Sequence, residues 1–166
     1  MNRLWSPWRS RYIDSIKDKS SPIECVLCRT AELQVSDLGN LLIEKGKNTF
    51  TVLNMYPYNS GHLMIVPVRH TNDFSSFSSE ENAEIMQKLQ LAEHALRIVS
   101  GPEGFNIGAN LGKVSGAGLD EHIHFHIVPR WNGDTNFMPV FGEVKVISQD
   151  LIETKKKLLE AYSKIR

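Results

Sequence analysis

Apolar and polar positions along the chain change period several times, and each change marks an element. Leu41–Glu44 and Thr49–Leu53 read as two short strands around the turn-forming run Lys45-Gly46-Lys47-Asn48, a hairpin pattern. Asn54 to Ser60 reads as loop because Pro57, Asn59 and Ser60 favour little else. Gly61 then leads into His62-Leu63-Met64-Ile65-Val66, an apolar run of strand length closed by Pro67. Ser79, followed by Glu80 and Glu81, offers a helix cap and first-turn carboxylates. Ile85, Leu89, Ala92, Leu96 and Val99 then recur at helical spacing until Gly101 and Pro102. Phe105–Ala109 reads as a strand, Asn110–Asp120 as a glycine-rich loop, His122–Val128 as a strong strand, and Leu151–Tyr162 as an amphipathic helix. Mostly antiparallel strands with two segregated helices predict an α+β fold.

The pattern contains no internal repeat and no Pro/Gly/Ser linker, so it predicts one domain over residues 25–166 preceded by an arm over residues 1–24. In the arm, Trp5, Trp8 and Tyr12 stand among Arg3, Arg9 and Arg11. They read as aromatic pins to the domain surface, with stacking on a base as the alternative. Near the other end, Lys155, Lys156 and Lys157 read as a solvated helix face rather than a phosphate site, and His94 as a surface or boundary residue.

Composition narrows the function classes. With 19 Lys+Arg against 19 Asp+Glu in 166 residues, the net charge is zero. That argues against a protein that coats a nucleic acid polymer or an anionic membrane. Neither a signal-peptide-like apolar stretch near the start nor a membrane-length apolar run is visible, so the expected location is the cytoplasm. The two cysteines, Cys25 and Cys28, are too close in sequence to staple a fold. Their C-x-x-C spacing is open between a metal site, a redox pair and free thiols.

Chemistry concentrates in Glu121-His122-Ile123-His124-Phe125-His126-Ile127-Val128-Pro129. Alternation along a strand puts His122, His124 and His126 on one face and Ile123, Phe125 and Ile127 on the other. Each imidazole brings two nitrogens that need partners, so three in register are hard to explain by packing. Such a row serves either a three-histidine metal site that activates water or a neutral imidazole nucleophile flanked by hydrogen-bond donors. The upstream run Asn110-Leu111-Gly112-Lys113-Val114-Ser115-Gly116-Ala117-Gly118 favours the second. Its backbone can form an anion nest, and Lys113 and Ser115 add a charge and a hydroxyl.

These segments resemble the histidine triad (HIT) superfamily. The resemblance rests on His122-Ile-His124-Phe-His126-Ile-Val, on Asn54 and Gly61-His62 before a strand, and on the glycine loop. Pro129-Arg130-Trp131-Asn132-Gly133-Asp134-Thr135-Asn136-Phe137 and Leu4-Trp5-Ser6-Pro7-Trp8-Arg9 look most like the microbial branch that includes diadenosine tetraphosphate phosphorylases. The resemblance implies a HIT-like sheet joined across a homodimer and a small nucleotide as substrate. It implies attack by His124 on an α-phosphorus through a nucleotidyl-histidine intermediate, with phosphate or water as acceptor. His126 would donate to a phosphate oxygen, and His122 with His62 would form an orienting relay. Asn54 would meet the ribose, Asn110 the phosphate region, and Lys113, Ser115, Gly116 and Gly118 the phosphate chain. No catalytic metal is implied. Cleavage of a nucleoside 5′-phosphoramidate, or nucleotide binding with weak turnover, would use the same residues. The resemblance also implies a structural zinc on Cys25, Cys28, His70 and His122. One departure is visible: Gly118 and Leu119 stand where many members carry Gln and Ser or Thr, so contacts to departing phosphates fall to backbone or to Lys113 and Ser115.

Overall fold

The computed structural model describes residues 25–135 and 149–165. The arm with Trp5, Trp8 and Tyr12, and residues 136–148, lie outside the described residues. The elements run α1 (Val26–Glu32), β1 (Leu42–Lys45), β2 (Thr49–Leu53), β3 (Leu63–Pro67), α2 (Ser79–Ser100), β4 (Gly104–Ala109), β5 (Phe125–Arg130) and α3 (Leu151–Ile165), with 3-10 turns at Phe74–Ser76 and Lys113–Ser115. The strands form one antiparallel sheet in the order β1-β2-β3-β5-β4. This is the expected α+β architecture, and no helix among the described residues is long and apolar enough to cross a membrane.

The register assigns the two faces of the sheet. Leu53 pairs with Leu63 and Leu63 with Ile127, so these side chains share a face. Ile43, Ile65 and Ile123 join them in a core completed by Ile85, Leu89, Ala92, Ala95 and Leu96 of α2 and by Leu158, Ala161 and Tyr162 of α3. Each large apolar side chain fully buried there contributes about 1.5–3 kcal/mol. On the opposite face Leu42, Phe50, Val52 and Val66 pack with Leu27 of α1. Val52 pairs with Met64, Met64 with His126 and His126 with Gly108, so that second face continues from the α1-covered cluster onto the histidines.

Local chemistry fixes the ends of α2. Ser78, one residue before the expected cap, accepts from the Glu81 backbone N–H, and the Glu81 carboxylate accepts from the Ser78 N–H in a capping box. Glu84 then clamps the hairpin turn to α2 by accepting from Asn48 and Thr49, through both backbone and side chains. A Cβ on Gly46 would lie 2.1 Å from the Glu84 Oε1, so any larger residue there would push the clamping carboxylate aside. Gly61, at φ +78° against Leu96, makes the left-handed turn that delivers His62 to the sheet.

Three expectations change. The final strand begins at Phe125, not His122: the Ile123 N–H donates to the Thr71 carbonyl, outside the ladder. Cys25 and Cys28 lie at the start of α1, a seven-residue helix whose single buried residue, Leu27, leaves no periodic signal. Lys155 is not on a solvated face. It is fully buried, and its Nζ donates to the carbonyls of Asp37 and Asn40 at 2.8 and 3.1 Å and to the Asn40 Oδ1 at 3.1 Å. Three oxygens from the loop before β1 thus compensate the buried ammonium, while Lys156 and Lys157 stay exposed. Replacing Lys155 with Met should lower stability by about 2 kcal/mol, because those oxygens lose their donor. Lys157→Met should cost less than about 0.5 kcal/mol. Urea denaturation of the two variants checks this, and equal midpoints would contradict it.

Candidate active site and metal centre

Each histidine's proton can be placed from its partners, because a carbonyl oxygen only accepts and a backbone N–H only donates. The Tyr58 N–H donates to His62 Nδ1 at 3.1 Å, and the Asn54 Nδ2 lies 3.3 Å from the same nitrogen. His62 Nδ1 therefore carries a lone pair, and its proton sits on Nε2. That Nε2 lies 2.9 Å from His126 Nδ1, with both rings buried, so His62 donates and His126 accepts. The proton of neutral His126 is left on Nε2, where it is buried and has no hydrogen-bond partner among the described residues. Burial foremost, and then the neighbouring His124, hold His126 down at about 4 against an ordinary 6.5, so it is neutral at pH 7. An unpaired buried donor costs about 1–3 kcal/mol, which makes this N–H the conspicuous unsatisfied group of the site.

His124 is fixed in the complementary tautomer. Its Nδ1 lies 2.9 Å from the His122 carbonyl and must donate to it, which leaves the Nε2 lone pair unprotonated. The rings of His124 and His126 meet edge to face, 4.8 Å between centroids. A lone pair and an N–H donor thus stand side by side, one suited to attack an electrophile and the other to hold its oxygen.

His122 faces the other way. Its Nε2–H donates to the Pro67 carbonyl at 2.9 Å, so Nδ1 presents a lone pair, 3.3 Å from the Cys25 Sγ and 3.5 Å from the Cys28 Sγ. The His70 Nδ1 lies 3.3 Å from the Cys28 Sγ. Ligand atoms of Cys25, Cys28, His70 and His122 all fall within 4.8 Å of one another. A tetrahedral zinc with ordinary Zn–S and Zn–N bonds spaces sulfur and nitrogen about 3.6 Å apart, so the donor set fits that metal. The three triad histidines therefore do not converge on one ion. His122 is turned toward the thiols, and burial foremost pushes its imidazole below the usual range. The relay read from the sequence is divided in the structure: His62 orients His126 through its ring, and His122 orients His124 through its carbonyl.

The nucleotide-side residues separate. Asn110 lines a cleft of about 220 Å³ with His126, Gly108 and Val128. Asn54 is half-buried, its Oδ1 accepting from the Tyr56 N–H at 2.9 Å while its amide faces His62. The Ser115 Oγ donates to the Gly112 carbonyl at 2.6 Å within its own turn. Exposed Lys113 lies 3.8 Å from the Asp120 carboxylate, and a Cβ on Gly116 or Gly118 would meet nothing within 4 Å. The sequence pattern gave no role to Tyr58, Asn59, Asn106, Arg130 or Asp134, although the last two sit in the Pro-Arg-Trp-Asn-Gly-Asp run. In the structure Asn59, Asn106, Arg130 and Asp134 form one hydrogen-bonded network beside the cleft, and Tyr58 lines the cleft with its ring against His62 and His126. Asp134 accepts from Arg130 at 2.6 and 2.7 Å and from the Asn59 Nδ2 at 2.7 Å, and the Arg130 guanidinium holds its carboxyl well below the usual carboxylate range.

Comparison with known proteins identifies the family. The family model described as HIT domain matches residues 38–133. An AP-4-A phosphorylase of Mycobacterium tuberculosis is 40% identical over 167 residues, covering 99% of this chain and 86% of that protein. The adenosine 5′-monophosphoramidase hnt1 of Schizosaccharomyces pombe is 26% identical, covering 66% of this chain and 77% of that protein. In three dimensions, a Zn-bound histidine triad family protein from Mycobacterium smegmatis superposes with a TM-score of 0.68 at 25% identity, covering 86% of this chain and 96% of that one. With the triad, its upstream histidine and the sheet that carries them in place, the chain belongs to the HIT domain family and is one of its enzymes.

Proposed function

We propose that the protein is a nucleotidyl transferase that cleaves a dinucleoside polyphosphate of the diadenosine tetraphosphate type at an α-phosphate. The observation that carries this reading is the unprotonated Nε2 of His124 beside the buried, unpartnered Nε2–H of His126. In the first step the His124 lone pair attacks the α-phosphorus. The bond to the departing phosphate oxygen breaks, and that oxygen keeps its electron pair. His126 donates to a non-bridging oxygen, where negative charge grows. In the second step an oxygen of inorganic phosphate, or of water, attacks the same phosphorus and His124 leaves with its pair. His62 holds His126 as the donor tautomer, and His122 holds His124 as the nucleophile tautomer. The 40% identity to an AP-4-A phosphorylase supports phosphate as acceptor. To Asn110, which lines the cleft, the reading gives the phosphate region, and to Asn54, beside His62, the ribose. Lys113, Ser115, Gly116 and Gly118 supply the phosphate-chain loop.

The same reading assigns a structural zinc to Cys25, Cys28, His70 and His122, where it would tie α1 to the segment leading into β5. A homodimer belongs to it too: among the described strands β4 is at the edge of the sheet and carries exposed residues, a row that a second copy can extend. The cytoplasm remains the location that the reading favours.

Incubation with diadenosine tetraphosphate should yield ADP and ATP when phosphate is present and AMP and ATP when it is absent. Both activities should fall on the order of 10⁴-fold or more in His124→Ala. Neither product pair appearing while an adenosine phosphoramidate is cleaved would replace this reading with the phosphoramidase one. Metal analysis should find close to one zinc per chain, and much less in Cys25→Ser, with a lower melting temperature. Well under one zinc in the unaltered protein, with no change in the variant, would remove the metal.

The depressed His126 value sets a pH dependence. The unfolded chain binds this proton from about pH 6.5 downward and the folded one only near 4, so stability falls as pH drops through that window and levels below it. The loss should be smaller in His126→Gln, measured as melting temperature against pH. Parallel curves for the two proteins would contradict the assignment.

A further inference from the structure

Asn106 of β4 pairs with Val128 of β5, as Gly108 pairs with His126, so Asn106 stands on the histidine face about 7 Å beyond His126 along the strand. Its amide has one orientation. The Arg130 Nη1 donates to the Asn106 Oδ1 at 2.7 Å, which occupies the acceptor end and leaves both Nδ2–H groups as donors. Arg130 is itself immobilised: its Nε and Nη2 donate to the two Asp134 oxygens at 2.6 and 2.7 Å. Asp134 also accepts from the Trp131 N–H at 3.0 Å and from Asn59, whose amide further donates to the Pro129 carbonyl at 3.0 Å. The guanidinium is thus neutralised by a bidentate carboxylate and is not a bare cation waiting for phosphate. Tyr58 and Val128 share the cleft with Asn106, alongside Thr135 and the neutralised Arg130, so an aromatic ring and an apolar side chain stand next to the amide. A donor amide among such neighbours, with charge already balanced, fits an uncharged acceptor better than another phosphate.

Direction along the strand says which part of a substrate comes here. In-line displacement places the departing group on the side of phosphorus away from the attacking atom. Along the face the order is His124, His126, Val128, with Asn106 beside Val128, so a departing chain that leaves the histidines along this strand reaches Asn106. Resting on the nucleotidyl-transfer reading, we propose that Asn106 is a specificity determinant for the departing half of the substrate. Its Nδ2–H donates to a ribose hydroxyl or a ring nitrogen of the second nucleoside, and Arg130, Asp134 and Asn59 are positioning residues that hold the amide.

The test compares kcat/KM for diadenosine tetraphosphate with that for adenosine 5′-phosphorimidazolide, whose departing imidazole is too short to reach Asn106. Asn106→Ala should lose roughly ten-fold more on the first substrate than on the second. Asn106→Asp keeps the shape and the Arg130 partner but turns the donor into an acceptor, and should show at least the same selective loss. Arg130→Met, which releases the amide, should shift the ratio the same way by a smaller factor. Equal losses on both substrates in Asn106→Asp, or none on either, would overturn the inference. Failure of the unaltered protein to cleave either substrate would instead overturn the nucleotidyl-transfer reading, and the inference with it.

Discussion

The hydrogen bond from His62 Nε2 to His126 Nδ1, 2.9 Å long and buried, is the constraint on which the rest of the site depends. Its direction is not free. The Tyr58 N–H already occupies the far nitrogen of His62, so the only proton His62 has to give goes to His126. That in turn forces the His126 proton onto Nε2, a nitrogen with nothing to receive it among the described residues. In a dry environment an unpaired donor is costly, and the cost is recovered only when an acceptor arrives. The strand pairing that brings β3 beside β5 is therefore more than scaffold: it sets the proton position that turns His126 Nε2–H into a donor awaiting an acceptor.

His122 shows how one residue divides two tasks. Its carbonyl fixes the proton of His124, its Nε2–H is held by Pro67, and its remaining lone pair looks toward Cys25 and Cys28. Under the zinc reading, the cross-link lies on one side of this residue and the nucleophile on the other. Nothing in the proposed displacement passes through the metal. The donor network around Asp134 is a second support on the far side of His126, so the reactive pair sits between two regions of dense hydrogen bonding.

Much of this was legible in the sequence because the physics is local. Alternating histidine and apolar residues require one face of each kind, and the Ile123, Phe125, Ile127 side does pack on the helices. The C-x-x-C pair could be noticed but not interpreted from spacing alone. What escaped depends on partners distant in sequence. Lys155 reads as polar surface in any window, and only the carbonyls of Asp37 and Asn40, more than a hundred residues away, make it a buried anchor. His122 alternates like a strand residue, yet the ladder starts at Phe125 because the Ile123 N–H turns to Thr71. Asn106 looks like any edge-strand residue until Arg130 orients it. Tautomers lay beyond sequence reasoning altogether, since they follow from which nitrogen meets a carbonyl.

Before any ligand binds, the fold alone sets His124 as the Nδ1–H tautomer and His126 as the Nε2–H tautomer. Nitrogen-15 NMR of the imidazoles in the ligand-free protein near neutral pH tests it most directly, since protonated and bare ring nitrogens are well resolved. The spectra should show a bare Nε2 on His124 and a protonated Nε2 on His126, with His62 protonated on Nε2. A proton on His126 Nδ1, or a bare Nδ1 on His124, would contradict it.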